Sequence, residues 1–510
     1  MDQEVGGSTP PPSIFYFTRC KWIYGDMKVN LGKHRKKIRP EILKGFKDYP
    51  PGDEIARQKL VSVFREVFES FGFSPLQTPA LEKIETLKGA DYGDDNLATI
   101  FNFTGPEEVD MALRFELTAP LARFVAGNPE LPLPFRRYQI GTVWRVDKPG
   151  PGRFREFTQF DIDSVGTSSM LADAEIMAAI CQSFEKLKIP GYKIRYSNRK
   201  ILNGLAEFAG ITNDQAPDVF RVLDKLEKQG MEAVRLELGP GRTDKSGDKI
   251  PGLKLPDGQI ETLEKYLTLQ VGESGDLLDS VANLLSGIDV AEEGIGELRE
   301  IRDYLRNMGV PAEKAIIDLT IVRGLGYYTG PVFETSLDEI PEVGSVFAGG
   351  RYDGLVERFL GRKIPATGAS AGIDRLLAAL ILHDYIRKAD TISQVLVTAM
   401  DRERMGDYIT LLNELRNSGL KAEIFLGETK NLTKQLKYAD RVGIPVAVIM
   451  GSDEFENKQI TVKNLVAGRI QAQEVSDREE WLKAENIQET IPRAEMINYV
   501  RRLLDKIETS

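Results

Sequence analysis

The chain has 510 residues, 42% hydrophobic and 28% charged, with a formal net charge of −10. That length exceeds one hydrophobic core and predicts about two to four domains. The composition is that of soluble proteins, and no apolar run approaches the roughly 18 residues a membrane helix needs. Two cysteines, Cys20 and Cys181, and two histidines, His34 and His383, argue against a disulfide framework, a zinc site and a His-based nucleophile system. The sparse cysteines fit a reducing cytosol, and the N-terminus carries Asp2 and Glu4 without a basic-then-apolar order, so no secretory signal is expected. The acidic balance argues against non-specific coating of nucleic acid but leaves room for a polyanion held on a local basic face.

In chain order, residues 1–36 read as a polar, turn-rich extension, expected to be disordered, with a basic run KHRKK at its end. Asp53 to Phe71 carries apolar residues at helical spacing and stops at Gly72, a C-cap signal. FSPLQTPALE is extended, because Pro75 and Pro79 forbid a helix interior. Strand-like runs follow at Ala98–Phe103 and Asp110–Phe115, then a helix over Ala119–Ala126. YQIGTVWRV and FREFTQFDIDSVG alternate around a Pro/Gly loop and predict a long antiparallel hairpin. Leu171–Leu187 is helical.

Residues 190–315 are amphipathic and turn-broken, with helices expected at Lys200–Phe208, Ala216–Gln229, Leu278–Ser286 and Gly296–Met308. β texture returns over 316–388, and residues 389–510 alternate strand and helix as a compact α/β sandwich with a mixed or parallel sheet. The division is therefore 1–36, 37–189, 190–315, 316–388 and 389–510.

Four constellations carry chemistry. The hairpin gathers Arg145, Lys148, Arg153 and Arg155 near its loop, and arginine is the rigid bidentate donor for carboxylate and phosphate. Gln159, Asp161 and Asp163 share one face of its second strand, which suits an ammonium or imidazole group; a solvated, salt-bridged hairpin fits as well. In LRFELTAPLARF, Glu116 and Thr118 share a face ahead of a helix, where Thr118 could equally be an N-cap. IVRGLGYYTGPVFE sets Arg323 before two flexible glycines and the Tyr327–Tyr328 pair. In AGGRYDGL and GASAGIDRL, the glycine pair suggests close approach to a bound group, and Arg375 amid small apolar residues is costly to bury without an anion. No Walker loop or dinucleotide fingerprint is present, so a phosphate site would be built from arginines.

Taken together, ILKGFKDYPP, GFSPLQTPALE, LRFELTAP, the hairpin, VRGLGYYTG, GGRYDGL and GIDR resemble, in order, the signatures of the histidyl-tRNA synthetases, a class II aminoacyl-tRNA synthetase family. The likeness runs from about Lys37 to Leu504. It implies an α+β fold: an antiparallel-sheet catalytic core, a helical insertion and a C-terminal α/β anticodon-binding domain. It also implies a cytoplasmic homodimer with FSPLQTPALE at its interface. The implied reaction joins L-histidine and ATP into histidyl-adenylate, with Mg²⁺ assisting, and passes histidine to the 3′ end of tRNA(His).

Carried over residue by residue, the resemblance gives Glu116, Leu117 and Thr118 to the histidine amino group and Gln159 and Asp163 to further amino-acid contacts. Arg145 takes the carboxylate and α-phosphate, and Arg323 is the catalytic arginine on that phosphate. Tyr327, Tyr328 and Tyr352 line the imidazole pocket. Asp147, Arg153 and Arg375 contact ATP, Arg375 at its γ-phosphate end; no dedicated metal ligand is implied. Three positions depart from the family pattern: Gly326 stands where Asp is common, Asp147 where Glu is common, and Phe347–Ala348 where a third glycine is frequent. A non-catalytic paralogue and a tRNA-binding or signalling module are the competing readings; retention of Arg323 and of the C-terminal domain 389–510 counts against the first, and retention of Arg145, Arg323 and Arg375 against the second. On the C-terminal domain, Lys434, Lys437, Tyr438 and Arg441 share a helix that suits either RNA or plain solvent.

Overall fold

In the computed structural model the described residues are 39–88, 99–150, 152–189, 191–244, 247–269, 276–321, 328–474 and 487–509. The extension 1–36 therefore lies outside them. Met1–Leu43 and Lys44–Ser510 are separate units, and every helix and strand of the described residues belongs to the second.

The first long helix, Pro51–Ser70, follows from local chemistry. Proline stands in its first turn with Asp53 and Glu54, and Ala56, Leu60, Phe64, Val67 and Phe68 form its buried stripe. It closes at Gly72, whose φ of 81° lets its N–H reach the Glu69 carbonyl at 2.9 Å.

The larger part of the second unit is built on an eight-stranded sheet. Its order is Ser74–Pro75, Phe135–Trp144, Glu156–Val165, Ala366–Gly372, Phe347–Arg351, Pro331–Leu337, Tyr192–Asn198 and Ala315–Ile317. All neighbours are antiparallel except the two outermost pairs, which are parallel. Alternation gives the hairpin strand Glu156–Val165 two characters. Phe160 packs with Phe64 and Phe68 at ring-centroid distances of 6.1 and 5.1 Å, joining the core under the helices, while Gln159, Asp161 and Asp163 face the other way.

In the insertion, the helix expected over Ala216–Gln229 is two, Ala216–Leu223 and Leu226–Leu238. A tightened i→i+3 turn at Lys225 separates them, and Gly230, with φ 80°, kinks the second. The last insertion helix starts at Asp289, earlier than Gly296 suggests. Gly204 and Gly294 explain the difference: a Cβ on Gly204 would lie 2.6 Å from Ala291 Cβ, and one on Gly294 3.0 Å from Ile201 Cγ1. These glycines are where two helices cross closely, not where one ends. A helix at Asp257–Leu267 and a small hairpin (Gly241–Thr243 with Lys249–Pro251) were not expected. The strand Tyr192–Asn198, at the head of the insertion, hydrogen-bonds into the large sheet along Pro331–Leu337.

The C-terminal part has a five-stranded mixed sheet, Ala422–Ile424, Val395–Val397, Val446–Ile449, Gln459–Asn464 and Gln488–Pro492, with the first three parallel and the rest antiparallel. Among the described residues no helix is long and apolar enough to cross a membrane.

Candidate active site

The hairpin strands Phe135–Trp144 and Glu156–Val165 register Arg137 opposite Asp163, Gln139 opposite Asp161 and Gly141 opposite Gln159. On the other side Asp163, Asp161 and Gln159 face Gly368, Ser370 and Gly372. One sheet face thus concentrates polar groups that have left water: Asp161 and Asp163 are each 2% exposed and Arg137 is fully buried. Arg137 Nη2 lies 2.8 Å from Asp163 Oδ2 and 3.8 Å from Asp161 Oδ2. The Tyr352 hydroxyl donates to Asp163 Oδ1, and Gln159 Nε2 donates to Ser370 Oγ at 2.9 Å. Gly368 makes room for this: a Cβ there would sit 2.0 Å from Asp163 Oδ1. Burial raises both carboxyls despite Arg137, Asp161 to about 7. Among the described residues, Gln159 Oε1 and Asp161 Oδ1 accept no hydrogen bond, so buried acceptors are left for an N–H-donating ligand.

The helix Thr118–Ala126 begins beside this face. Thr118 is its first residue, not its cap; the Glu116 carboxylate accepts the N–H groups of Thr118 at 2.5 Å and Ala119 at 2.7 Å. A carboxylate placed against the positive end of a helix remains a strong acceptor and can also hold an ammonium. Leu117 is fully buried, and its carbonyl accepts from Arg137 at 3.3 Å. Arg137 therefore links the Glu116–Thr118 corner to Asp163.

The arginines cluster on the hairpin loop. Arg145 donates through Nε to the Phe115 carbonyl at 3.0 Å, with its guanidinium 5.2 Å from the Phe157 ring centre. Burial lowers the pKa of Arg375, and the charges of Arg153 and Arg145 lower it further. Arg145 and Arg153 therefore lie close enough to repel Arg375, which has no acid ion-paired to it among the described residues, and such a group of like charges suits a polyanion. Asp374 sets the start of the Arg375 helix by accepting the Thr158 N–H at 2.6 Å. Asp147 is exposed, and its carbonyl, not its carboxylate, is used by Arg155 Nε at 3.3 Å.

Tyr328 is half-buried against Gly350, where a Cβ would meet its ring at 3.0 Å. Arg323, Gly326 and Tyr327 lie outside the described residues. The expectation that Gly349–Gly350 admits a bound group is corrected. Those glycines let adjacent strands and Tyr328 approach, since a Cβ on Gly349 would lie 2.2 Å from the Gly368 carbonyl. Arg351 turns away into a structural pair with Asp173 and the Thr167 carbonyl.

Arg137 and Gln139 belong to none of the constellations legible in the sequence, and Arg114 lies within LRFELTAPLARF without having been singled out there. A strict two-residue reading of FRRYQIG would have paired Arg137 with Gln139 on the face opposite Tyr138. Arg114, buried, ties the FSPLQTPALE segment to the hairpin through the Thr78 and Thr142 carbonyls at 2.7 and 2.9 Å. On the C-terminal helix Leu432–Arg441, Tyr438 is engaged internally, against Phe425 and with its hydroxyl on Glu423 at 2.9 Å, while Lys434, Lys437 and Arg441 are exposed.

Comparison with known proteins gives the same assignment from an independent direction. Residues 45–376 match the histidyl-tRNA synthetase family model, and residues 394–503 match an anticodon-binding domain. A histidine–tRNA ligase of Paracoccus denitrificans is 44% identical over 92% of this chain and 99% of its own length. One from Cereibacter sphaeroides is 42% identical over 92% and 99%. The crystal structure of a histidyl-tRNA synthetase from Nostoc superposes with a TM-score of 0.78 at 32% identity, covering 91% of this chain and 100% of that one. Buried carboxylates beside an arginine-built anion receptor, on this sheet and with this second domain, are thus accompanied by full-length likeness: the chain belongs to the histidyl-tRNA synthetase family.

Proposed function

We propose that the protein activates L-histidine with ATP to histidyl-adenylate and transfers the histidyl group to the 3′ end of tRNA(His). The observation that carries this reading is the adjacency, along one hairpin, of a buried N–H-accepting pocket (Gln159, Asp163, with Tyr352) and the arginine cluster Arg145, Arg153 and Arg375. The substrate carboxylate oxygen attacks the α-phosphorus as the bond to pyrophosphate breaks. Such an in-line displacement needs orientation and stabilised equatorial charge, not a side-chain nucleophile.

In this reading Glu116, Leu117 and Thr118 receive the ammonium group, and Asp163, Tyr352, Tyr327 and Tyr328 surround the imidazole. Arg145 aligns the carboxylate with the α-phosphate, and Arg323 stabilises that phosphate's developing charge. Arg153 and Arg375 hold the outer phosphates, and Asp147 borders the adenine. A pocket that hydrogen-bonds its substrate rejects analogues lacking those groups. Among the described residues no cluster of three or more His, Cys, Asp and Glu side chains converges on a metal position, so Mg²⁺ in this reading arrives on the nucleotide's phosphates. Residues 190–315 act as an insertion between core segments 37–189 and 316–388, and 389–510 contacts the anticodon. Family likeness supports a homodimer working in the cytoplasm.

Histidine-dependent ATP–pyrophosphate exchange tests the reading. The wild type should exchange, and Arg323→Ala should lose at least about 10²-fold in rate. No exchange by the wild type overturns the activity; an unaffected Arg323→Ala overturns the role of that residue.

A further inference from the structure

Arg137 belongs to no recognised motif, yet it is the most deeply buried charge of the site. Its guanidinium touches the Asp163 carboxylate at 2.8 Å, the Leu117 carbonyl at 3.3 Å and Gln139 Oε1 at 3.3 Å, and lies 3.8 Å from Asp161. Gln139 is itself anchored, through Nε2, on the Thr78 hydroxyl at 2.9 Å. One rigid planar group thus joins the helix start that carries Glu116 and Thr118 to the carboxylate that faces Tyr352. Those are the two ends of the amino-acid pocket.

Charge balance points the same way. Three buried carboxylates, Asp161, Asp163 and Glu116, lie among two buried guanidiniums, Arg137 and Arg114, and Asp161 Oδ1 accepts no hydrogen bond among the described residues. A buried cluster with one excess negative charge is unfavourable until a proton or a donor ligand meets it.

We propose that Arg137 is a positioning residue for amino-acid selection, and that Asp161 is its specificity-determining partner. Arg137 holds Asp163 and the Leu117 carbonyl at a set separation, and Asp161 supplies the excess negative charge that favours a side chain donating N–H. This rests on the proposed histidine pocket. Remote charge of this kind acts on binding of the amino acid and leaves ATP handling alone, because the arginine cluster is built on the hairpin loop and the Arg375 helix.

The test is steady-state exchange kinetics on full-length Asp161→Asn, Arg137→Met, the double variant and Asp163→Asn. Asp161→Asn keeps the shape and removes the charge; its histidine KM should rise about tenfold or more, with ATP KM and kcat within about twofold. Arg137→Met strands two carboxylates together, so its histidine KM should rise further and the pH dependence of that KM should move to higher pH than in the wild type. The double variant, with charge and counter-charge both gone, should recover part of that loss. A purely structural role would instead lower active protein and kcat without moving the histidine KM, and the double variant would be no better than Arg137→Met; either result overturns the proposal. Should Arg137→Met fail to fold, Asp161→Asn decides alone: an unchanged histidine KM rejects the proposal. If Asp163→Asn also leaves histidine KM unchanged, the pocket assignment itself fails; if only Asp161→Asn is silent, the assignment stands and this inference falls.

Discussion

Asp374 accepts the backbone N–H of Thr158 at 2.6 Å across 216 positions of sequence, and the Thr158 hydroxyl accepts from Arg57 at 2.8 Å. Three elements meet there: the first long helix, the second hairpin strand and the helix that carries Arg375. The geometry of the anion receptor depends on this joint, because Arg375 is the next residue in the chain.

Replacing Asp374 with Ala leaves a buried N–H unpaired. A loss of about 1–3 kcal/mol in stability is expected, as for other orphaned buried donors. Exchange kcat should fall about tenfold or more, since the guanidinium of Arg375 loses its register with Arg145. Thermal melts and exchange rates measured on the same preparation check this; a stable protein with unchanged kcat would show that the joint does not position Arg375.

Arg375→Ala should separate function from stability. The arginine is half-buried and repelled by Arg153 and Arg145. Its removal relieves the empty protein while depriving the polyanion of a donor. We expect an unchanged or higher melting temperature together with a loss of about 10²-fold in exchange, the scale for removing one preorganised donor. A lower melting temperature would mean that an acid partner holds it.

Gly368→Ala probes the amino-acid pocket by volume alone. Its new methyl would lie 2.0 Å from Asp163 Oδ1 and 2.8 Å from the Ile162 carbonyl, so the strand must shift at a cost of about 1–3 kcal/mol. Histidine KM should rise while ATP KM is spared. Gly296→Ala is the control: it sits in a helix with nothing within 4 Å of the new atom, and should stabilise by about 0.5–1 kcal/mol. Both are read by denaturant titration and exchange kinetics.

Asp161 makes stability pH-dependent in a definite direction. Burial raises its pKa from 3.8 to about 7, with Arg137, Asp163 and Glu116 as the charges around it and Arg114 and Tyr352 also within reach. Between roughly pH 4 and 7 the folded chain retains a proton that the unfolded chain has lost. Its contribution to stability is therefore present at low pH and is lost as pH rises through 7. The stability of Asp161→Asn relative to wild type, both without ligand, should grow from pH 5 to about pH 7 and level off above it. Denaturant midpoints across that range decide it, and a constant difference would show that Asp161 does not titrate there.

Local chemistry determined much by itself. Helix Pro51–Ser70 follows from its apolar period and glycine stop, the long hairpin from alternation around a Pro/Gly loop, and the C-terminal strand–helix alternation from composition. Arg375 called for an anion because it stands among small apolar residues, Arg145 and Arg153 offered bidentate donors beside a Pro/Gly loop, and the family resemblance implied their ATP roles. Only the tertiary structure decided what these residues face. Strand order is set by pairings more than a hundred residues apart, so Tyr192–Asn198 entering the large sheet could not be read locally. Gly204 and Gly294 look like helix breakers until the crossing helix supplies the reason for them. Arg137 looks in sequence like half of an ordinary surface pair, because desolvation belongs to the assembled sheet and no window of sequence encodes it. Burial turned that arginine, with Asp161 and Asp163, from a solvated hairpin into a buried charged network.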